Sequence, residues 1–264
     1  MVLGAAPAYT NRPGSAASSY LIRAGGAAIV LDLGQGAFPN LASALEPSTL
    51  TAVLVSHLHP DHFIDLVPLR HYLRWEFAPA RRVSVLGPEG LADRLDALDG
   101  SVGFTAASLD VEALSEGVLR CGPFDVQVRR VAHTEESFAF RVSPNRRAGG
   151  ESPVWDNAED GADRGADAGL VYSGDCGRAD DLAPLIRPGD TLLSEASFGA
   201  GPVAAGAGHL TSAEAARVAS DGGAVRLLLT HVLSSRSRTG ALAAAEAVFS
   251  GPVRLVTESD RFEF

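Results

Sequence analysis

The chain has 264 residues, 46% of them hydrophobic and 20% charged, enough to bury the core of one large α/β domain. A formal net charge of −10 excludes broad electrostatic attraction to nucleic acid or to an anionic membrane surface. All 22 basic residues are arginine, and the two cysteines, Cys121 and Cys176, are too few and too far apart to be a disulfide framework.

Taken in order, Met1-Val2-Leu3-Gly4 lacks the basic and apolar segments of a secretory leader. No apolar run approaches the ~18 residues of a membrane span, so the expectation is a cytoplasmic protein with no membrane partner. Strands are expected at 19–23 and 28–32, separated by the hairpin signal Gly25-Gly26. A short helical segment, 41–45, is stopped by Pro47. The run 52–55 is continuously apolar, as in a strand buried on both faces. It leads into Ser56 and then His57-Leu58-His59-Pro60-Asp61-His62. Leu66, Leu69 and Leu73 recur at helical spacing after that loop. A strand at 83–86 and a helix marked by Leu91, Leu95 and Leu98 follow. Strands 124–131 and 137–142 flank His133.

Residues 144–168 are dominated by Gly, Asp, Glu, Asn and Pro, and are expected to be a flexible surface insertion in one domain spanning 1–264. The strand–helix rhythm then resumes: strand 170–173, helix 179–186, strand 191–194, helix 212–220, strand 226–230, helix 240–249 and strand 253–257. There is no internal repeat at a period of about 20–50 residues.

The chemistry lies in the histidines. Four ligand-type residues within six positions, His57, His59, Asp61 and His62, are hard to explain by capping or packing. A loop leaving a strand can aim His57 and His59 at one ion and Asp61 and His62 at a second. Imidazole and carboxylate donors are the set expected of catalytic rather than structural zinc. His133, Asp175 and His231 each follow an apolar strand, where open α/β sheets place their sites. Alone, a histidine at a strand end is more often a hydrogen-bonded core residue, and an aspartate after Ser-Gly more often a turn or cap. The loop at 57–62 reverses those odds.

The set His57-x-His59-x-Asp61-His62, His133, Asp175 and His231 resembles the signature of the metallo-β-lactamase fold. The resemblance spans about residues 2–258, with Val2-Leu3-Gly4 similar to the end of that family's first strand. It implies a four-layer αβ/βα sandwich, an α/β fold of two mixed sheets with helices outside. It also implies two zinc ions, with manganese as the alternative metal. His57, His59 and His133 would hold one ion and Asp61, His62 and His231 the other, with Asp175 bridging. Leu192-Leu193-Ser194-Glu195-Ala196-Ser197-Phe198 resembles the His-Glu-Ala-Thr-Phe segment of ribonuclease Z-like phosphodiesterases, with Ser194 standing where that group has histidine. Gly208-His209-Leu210-Thr211 resembles their outer histidine motif. By carry-over, Glu195 orients His209, and Asp61, His209 and Glu195 form the catalytic set. Thr211 and Glu214 read as a capping box. His71 reads as structural or surface, and Cys176 as a small packing residue.

Two divalent ions lower the pKa of a shared water, the chemistry such a site implies. Ribonuclease Z binds transfer RNA partly through a protruding basic arm, and no such arm is found here. The substrate expected is therefore a small phosphodiester such as a cyclic nucleotide, and nucleic acid is not favoured. Ser-Ser-Tyr-Leu at 18–21 and the Ser-His-Leu-His-x-Asp-His loop look similar to cyclic nucleotide phosphodiesterases on this fold. Arg236 and Arg238 read equally as a bidentate phosphate clamp and as a solvated loop. Three rival readings stay open: transfer-RNA 3′ processing, lactone, ester or β-lactam hydrolysis, and a non-catalytic binding protein. A homodimer is compatible with the sequence.

Overall fold

The first strands pair as a meander. Val2–Gly4 (β1), Ser19–Ala24 (β2) and Ala27–Leu31 (β3) are antiparallel neighbours. Gly25 and Gly26 in the β2–β3 turn have φ of 55° and 84°. Two consecutive positive φ values match the twist of a tight hairpin, and glycine adopts them without a Cβ clash. Ala52–Leu54 (β4), Val83–Gly87 (β5) and Leu109–Ala113 (β6) add in parallel, in the order β1-β2-β3-β4-β5-β6.

The second sheet comprises Gly117–Cys121 (β7), Phe124–Val131 (β8), Ser137–Pro144 (β9), Val154–Asp156 (β10), Leu170–Tyr172 (β11), Thr191–Glu195 (β12), Arg226–Thr230 (β13) and Val253–Leu255 (β14). Its order is β10-β7-β8-β9-β11-β12-β13-β14, antiparallel as far as β11 and parallel beyond it. Six α-helices are found among the described residues: Phe38–Ala44 (α1), Pro60–Phe63 (α2), Leu66–Trp75 (α3), Leu91–Asp99 (α4), Ser212–Asp221 (α5) and Arg238–Glu246 (α6). This computed structural model describes residues 1–145, 153–156, 168–203 and 206–264.

Strand periodicity explains the layers. Ile29 and Leu31 of β3 point to a core shared with Phe138, Phe140 and Leu193 of the other sheet, while Ala28 and Val30 point to a second core with Leu41, Leu66 and Leu69 of the helices. In β13, Leu228 joins the inter-sheet core, whereas Leu227 and Leu229 join a third core with Ala215, Ala219 and Ala245 of α5 and α6. Alternate residues face opposite sides of a strand, so an unbroken apolar run feeds two cores at once. Three cores between four layers make the αβ/βα sandwich expected from the sequence.

Some elements differ from expectation. The helix expected at 179–186 is only a 3-10 turn, Ala179–Leu182, because Pro184 lacks the N–H a continuing helix needs. Strands β6 and β7 are additions to the expected elements: Leu109-Asp110-Val111-Glu112-Ala113 alternates apolar and polar residues over five positions and pairs with β5, and β7 pairs with β8 and β10. The insertion expected at 144–168 lies largely outside the described residues, but within it Val154–Asp156 pairs with β7. The capping box is present: Thr211 Oγ1 accepts from Glu214 N, and Glu214 Oε2 accepts from Thr211 N. Among the described residues no helix is long and apolar enough to cross a membrane.

Candidate metal centre

The carboxyl ends of β3, β4, β11, β12 and β13 lead into Asp32, His57, Asp175, Glu195 and His231, and His133 sits in the β8–β9 connection. Two of these residues have left-handed backbone, Asp32 at φ 56° and His231 at φ 58°. For residues other than glycine that conformation costs about 1–3 kcal/mol and tends to persist at functional sites. The histidine loop seats directly on the β3 turn, with Leu33 N donating to His62 O at 2.7 Å. A Cβ on Gly34 would lie 1.9 Å from Asp61 O, so this approach requires glycine.

One nitrogen of each ligand-type histidine is engaged from behind, which fixes the nitrogen left for the centre. Nδ1 of His62 donates to Asp32 Oδ2 at 2.7 Å, and Nδ1 of His133 donates to the Gly208 carbonyl at 2.7 Å. Nδ1 of His57 lies 3.1 Å from Ser56 Oγ, and Nδ1 of His231 lies 2.9 Å from Ser197 Oγ. In His59 the order is reversed: Nε2 faces Thr134 Oγ1 at 3.4 Å, and Nδ1 faces His133 Nε2 at 3.2 Å. Such outer partners set the tautomer and ring orientation of metal-ligating histidines.

The inward atoms form two groups sharing one carboxylate: His57, His59, His133 and Asp175, and Asp61, His62, Asp175 and His231. Within each group the donor atoms lie within 4.8 Å of one another. His57 Nε2 is 3.7 Å from Asp175 Oδ2, His62 Nε2 is 3.4 Å from Asp175 Oδ1, and His231 Nε2 is 3.1 Å from Asp61 Oδ2. Bonds of ~2.0–2.1 Å in tetrahedral array separate donor atoms by roughly 3.3 Å, so the spacing suits a small divalent cation. His57 Nε2, His62 Nε2 and Asp175 Oδ1 are buried and make no hydrogen bond. Unsatisfied buried polar atoms are rare and costly, and such an atom in each group, with the shared Asp175 between them, fits metal ligation.

Charge balance points the same way. Burial works against ionisation of Asp175, yet His231, His62 and His57 hold it well below the usual carboxylate range. Burial and the neighbouring His62 push His57 well below its ordinary value, leaving the neutral ring whose lone pair can bind a cation. Burial disfavours charge on His62 as well, but Asp175 and Asp32 raise it well above its ordinary value. The space between these carboxylates demands positive charge.

Beside the second group stands another carboxylate. Glu195 Oε1 accepts from Cys176 N, Leu210 N and His209 Nδ1, each at 3.1 Å. Its Oε2 accepts from Ser197 N at 2.9 Å and Ser197 Oγ at 2.7 Å. Glu195, His209 and His231 also cluster as donor atoms. Those hydrogen bonds occupy both oxygens, so Glu195 orients its neighbours rather than ligating. Burial works against a charged His209, but the hydrogen bond and charge of Glu195 push it up to about 9. Its side chain is 22% exposed and lies 3.8 Å from Asp175 Oδ2.

All nine residues singled out in the sequence are thus brought together. Ser194 only donates to the Glu195 carbonyl, at 2.8 Å, and support of the glutamate comes from Ser197 and the main chain instead. Arg236 donates to the Gly201 and Pro202 carbonyls and lies over the Phe198 ring. His71 is exposed and edges onto Phe104, and Cys176 is buried in the helix-side core of the second sheet. Asp32, Ser56, Tyr172 and Ser197 were missed. Asp32 accepts from Ser56 N, Ser56 Oγ, His62 Nδ1 and Tyr172 OH at 2.6–2.8 Å. Its sequence signal was the one used for Asp175, an acidic residue ending an apolar strand.

A family model described as a beta-lactamase superfamily domain matches residues 29–232. An uncharacterized protein of Mycobacterium tuberculosis is 34% identical over 259 residues, covering 95% of this chain and 87% of its own. A ribonuclease Z of Bradyrhizobium is 31% identical over 288 aligned residues, covering 95% of this chain and 93% of its own. The probable metallo-hydrolase YhfI of Bacillus subtilis is 27% identical over 243 residues, covering 91% of this chain and 89% of its own. The crystal structure of YhfI, described as a metallo-beta-lactamase fold protein, superposes with a TM-score of 0.80 at 25% identity, covering 99% of this chain and 98% of that one.

Proposed function

The chain belongs to the β-lactamase superfamily as a metallo-hydrolase, and from that premise we propose that it is a phosphodiesterase acting on a small phosphodiester such as a cyclic nucleotide. The observation that carries this reading is the Glu195–His209 pair set beside the two ligand groups. When bound there, two divalent cations such as zinc or manganese would polarise a phosphoryl group and lower the pKa of a water between them. His57, His59 and His133 would hold one, and Asp61, His62 and His231 the other, with Asp175 shared.

The remaining steps belong to the protein. Asp61, buried but held below the usual carboxylate range against the effect of burial by the adjacent His231 and His62, can accept a proton from the attacking water. Nδ1 of His209 is tied to Glu195, which leaves its Nε2–H to donate to a phosphate oxygen or the leaving oxygen. A cation placed where negative charge accumulates stabilises the transition state more than the ground state. Ester or lactam cleavage at two metals has less need of a second, carboxylate-held cation, and this favours the phosphodiester.

The relative named ribonuclease Z supports a second reading, transfer-RNA 3′ processing. The net charge of −10 weighs against it. The test is purified protein loaded with zinc or manganese, assayed on bis(p-nitrophenyl) phosphate, cyclic AMP, a lactone panel and a transfer-RNA precursor. Turnover of the small phosphodiesters is expected. Cleavage of lactones alone would sink the reading, and salt-sensitive cleavage of the precursor alone would replace it with the second.

A further inference from the structure

Two serines occupy matching positions in the two halves of the site. Ser56 Oγ lies 2.8 Å from Asp32 Oδ2 and 3.1 Å from His57 Nδ1. Ser197 Oγ lies 2.7 Å from Glu195 Oε2 and 2.9 Å from His231 Nδ1. In each half the carboxylate also holds a second histidine directly: Asp32 holds His62, and Glu195 holds His209. Ser56, Ser197, Asp32 and Glu195 are all buried, and water does not compete for these bonds.

A hydroxyl has one proton, and a carboxylate offers none. The serine proton therefore goes to the carboxylate, and the same oxygen must accept from the histidine. That requires the proton of His57 and of His231 to sit on Nδ1. The lone pair of each ring is then on Nε2, the atom that faces Asp175 in His57 and Asp61 in His231.

We propose that Ser56 and Ser197 are positioning residues, each relaying one buried carboxylate to one metal-ligand histidine, Ser56 to His57 of the first group and Ser197 to His231 of the second. The proposal rests on the two-metal reading given above. It differs from a packing role because its effects are site-selective. Loss of the Ser197 hydroxyl loosens the group that contains His231, and loss of the Ser56 hydroxyl chiefly the group that contains His57, because Ser56 Oγ is 3.1 Å from His57 Nδ1 but 3.5 Å from His62 Nδ1, which keeps its own bond to Asp32. Replacing an outer partner of this kind typically costs about 10–100-fold in metal affinity.

The experiment is a chelator-competition titration of zinc into the wild type and into Ser56→Ala, Ser197→Ala, Ser56→Thr and Ser197→Thr, with histidine ring resonances assigning each binding step to a group. Each alanine variant is expected to weaken one step, a different one in each, by about 10–100-fold. Each threonine variant, which keeps the hydroxyl, is expected to retain wild-type affinity. Two tight steps in both alanine variants would overturn the relay while leaving the metal centre intact. A wild type that takes up no divalent ion would instead overturn the metal reading itself. Should an alanine variant not fold, long-range proton–nitrogen correlation on the zinc-loaded wild type reads the tautomers directly: Nδ1–H on His57 and His231 is expected, and Nε2–H on either overturns the proposal.

Discussion

Asp175 and Asp190 are both buried aspartates at opposite ends of the same pair of strands, Asp175 after β11 and Asp190 before β12, and their surroundings differ completely. Asp190 is saturated: Arg141 donates to both its oxygens at 2.8 and 2.9 Å, and the main-chain N–H groups of Gly169 and Arg187 add bonds of 2.7 and 2.9 Å. Asp175 is ringed by imidazole nitrogens of His57, His62, His231 and His209 at 3.4–3.8 Å, with Oδ1 in no hydrogen bond. A buried charge persists only when something compensates it. At Asp190 the fold supplies that compensation itself; at Asp175 the spacing leaves it to a cation from outside. Burial and charge are shared by the two, and hydrogen-bond satisfaction separates the structural carboxylate from the candidate ligand.

The comparison can be broken most severely at Asp175. Asp175→Asn is expected to strip the shared ligand, lowering activity by more than the ~10²–10³-fold of a single stabilising donor. Its metal-free form is expected to unfold close to the wild-type temperature. Retention of two tightly bound ions, measured by elemental analysis, would refute the bridging role. Asp190→Asn is expected to do the reverse, costing about 3–5 kcal/mol in denaturant unfolding by removing the buried carboxylate charge to which Arg141 donates. Metal content per folded molecule is expected to stay unchanged, and loss of metal without loss of stability would erase the distinction.

His209→Ala sharpens the functional end. It is expected to keep both ions and lose about 10²–10³-fold in turnover. Full activity in this variant would remove the main support for phosphodiester cleavage. The smallest effect concerns the thiols. Cys176, next to Asp175, and Cys121, on β7, are buried, and burial pushes both up to about 12. Both are expected to resist iodoacetamide at neutral pH in the folded protein, since the thiolate is the nucleophile. Selective labelling of Cys176 after chelation would show that the metal end opens while the other end holds.

The site was more legible than the fold around it. His57, His59, Asp61 and His62 stand out because ligand residues crowd one loop, and His133, Asp175 and His231 because each ends an apolar strand. Runs such as 52–55 and 226–230 announced buried strands because they feed cores on both faces. Strands β6, β7 and β10 did not: β6 and β10 are short sheet edges, and β7, which lies between β10 and β8, buries Leu119 and Cys121 within a run too short to stand out. The helix expected at 179–186 failed because its apolar spacing was counted without the missing N–H of Pro184.

The sequence by itself determined the candidate metal donors, because donors must be chemically distinctive and those from one loop must be closely spaced. Only the tertiary structure decided how they are aimed. Asp32 meets Tyr172 and His62, and Ser197 meets Glu195, His209 and His231, across separate strands and both halves of the chain. A serine, a tyrosine or an aspartate carries no spacing signal for such a bond. It acquires its role only when the sheets pack and bring one hydroxyl within reach of both a carboxylate and a ring nitrogen.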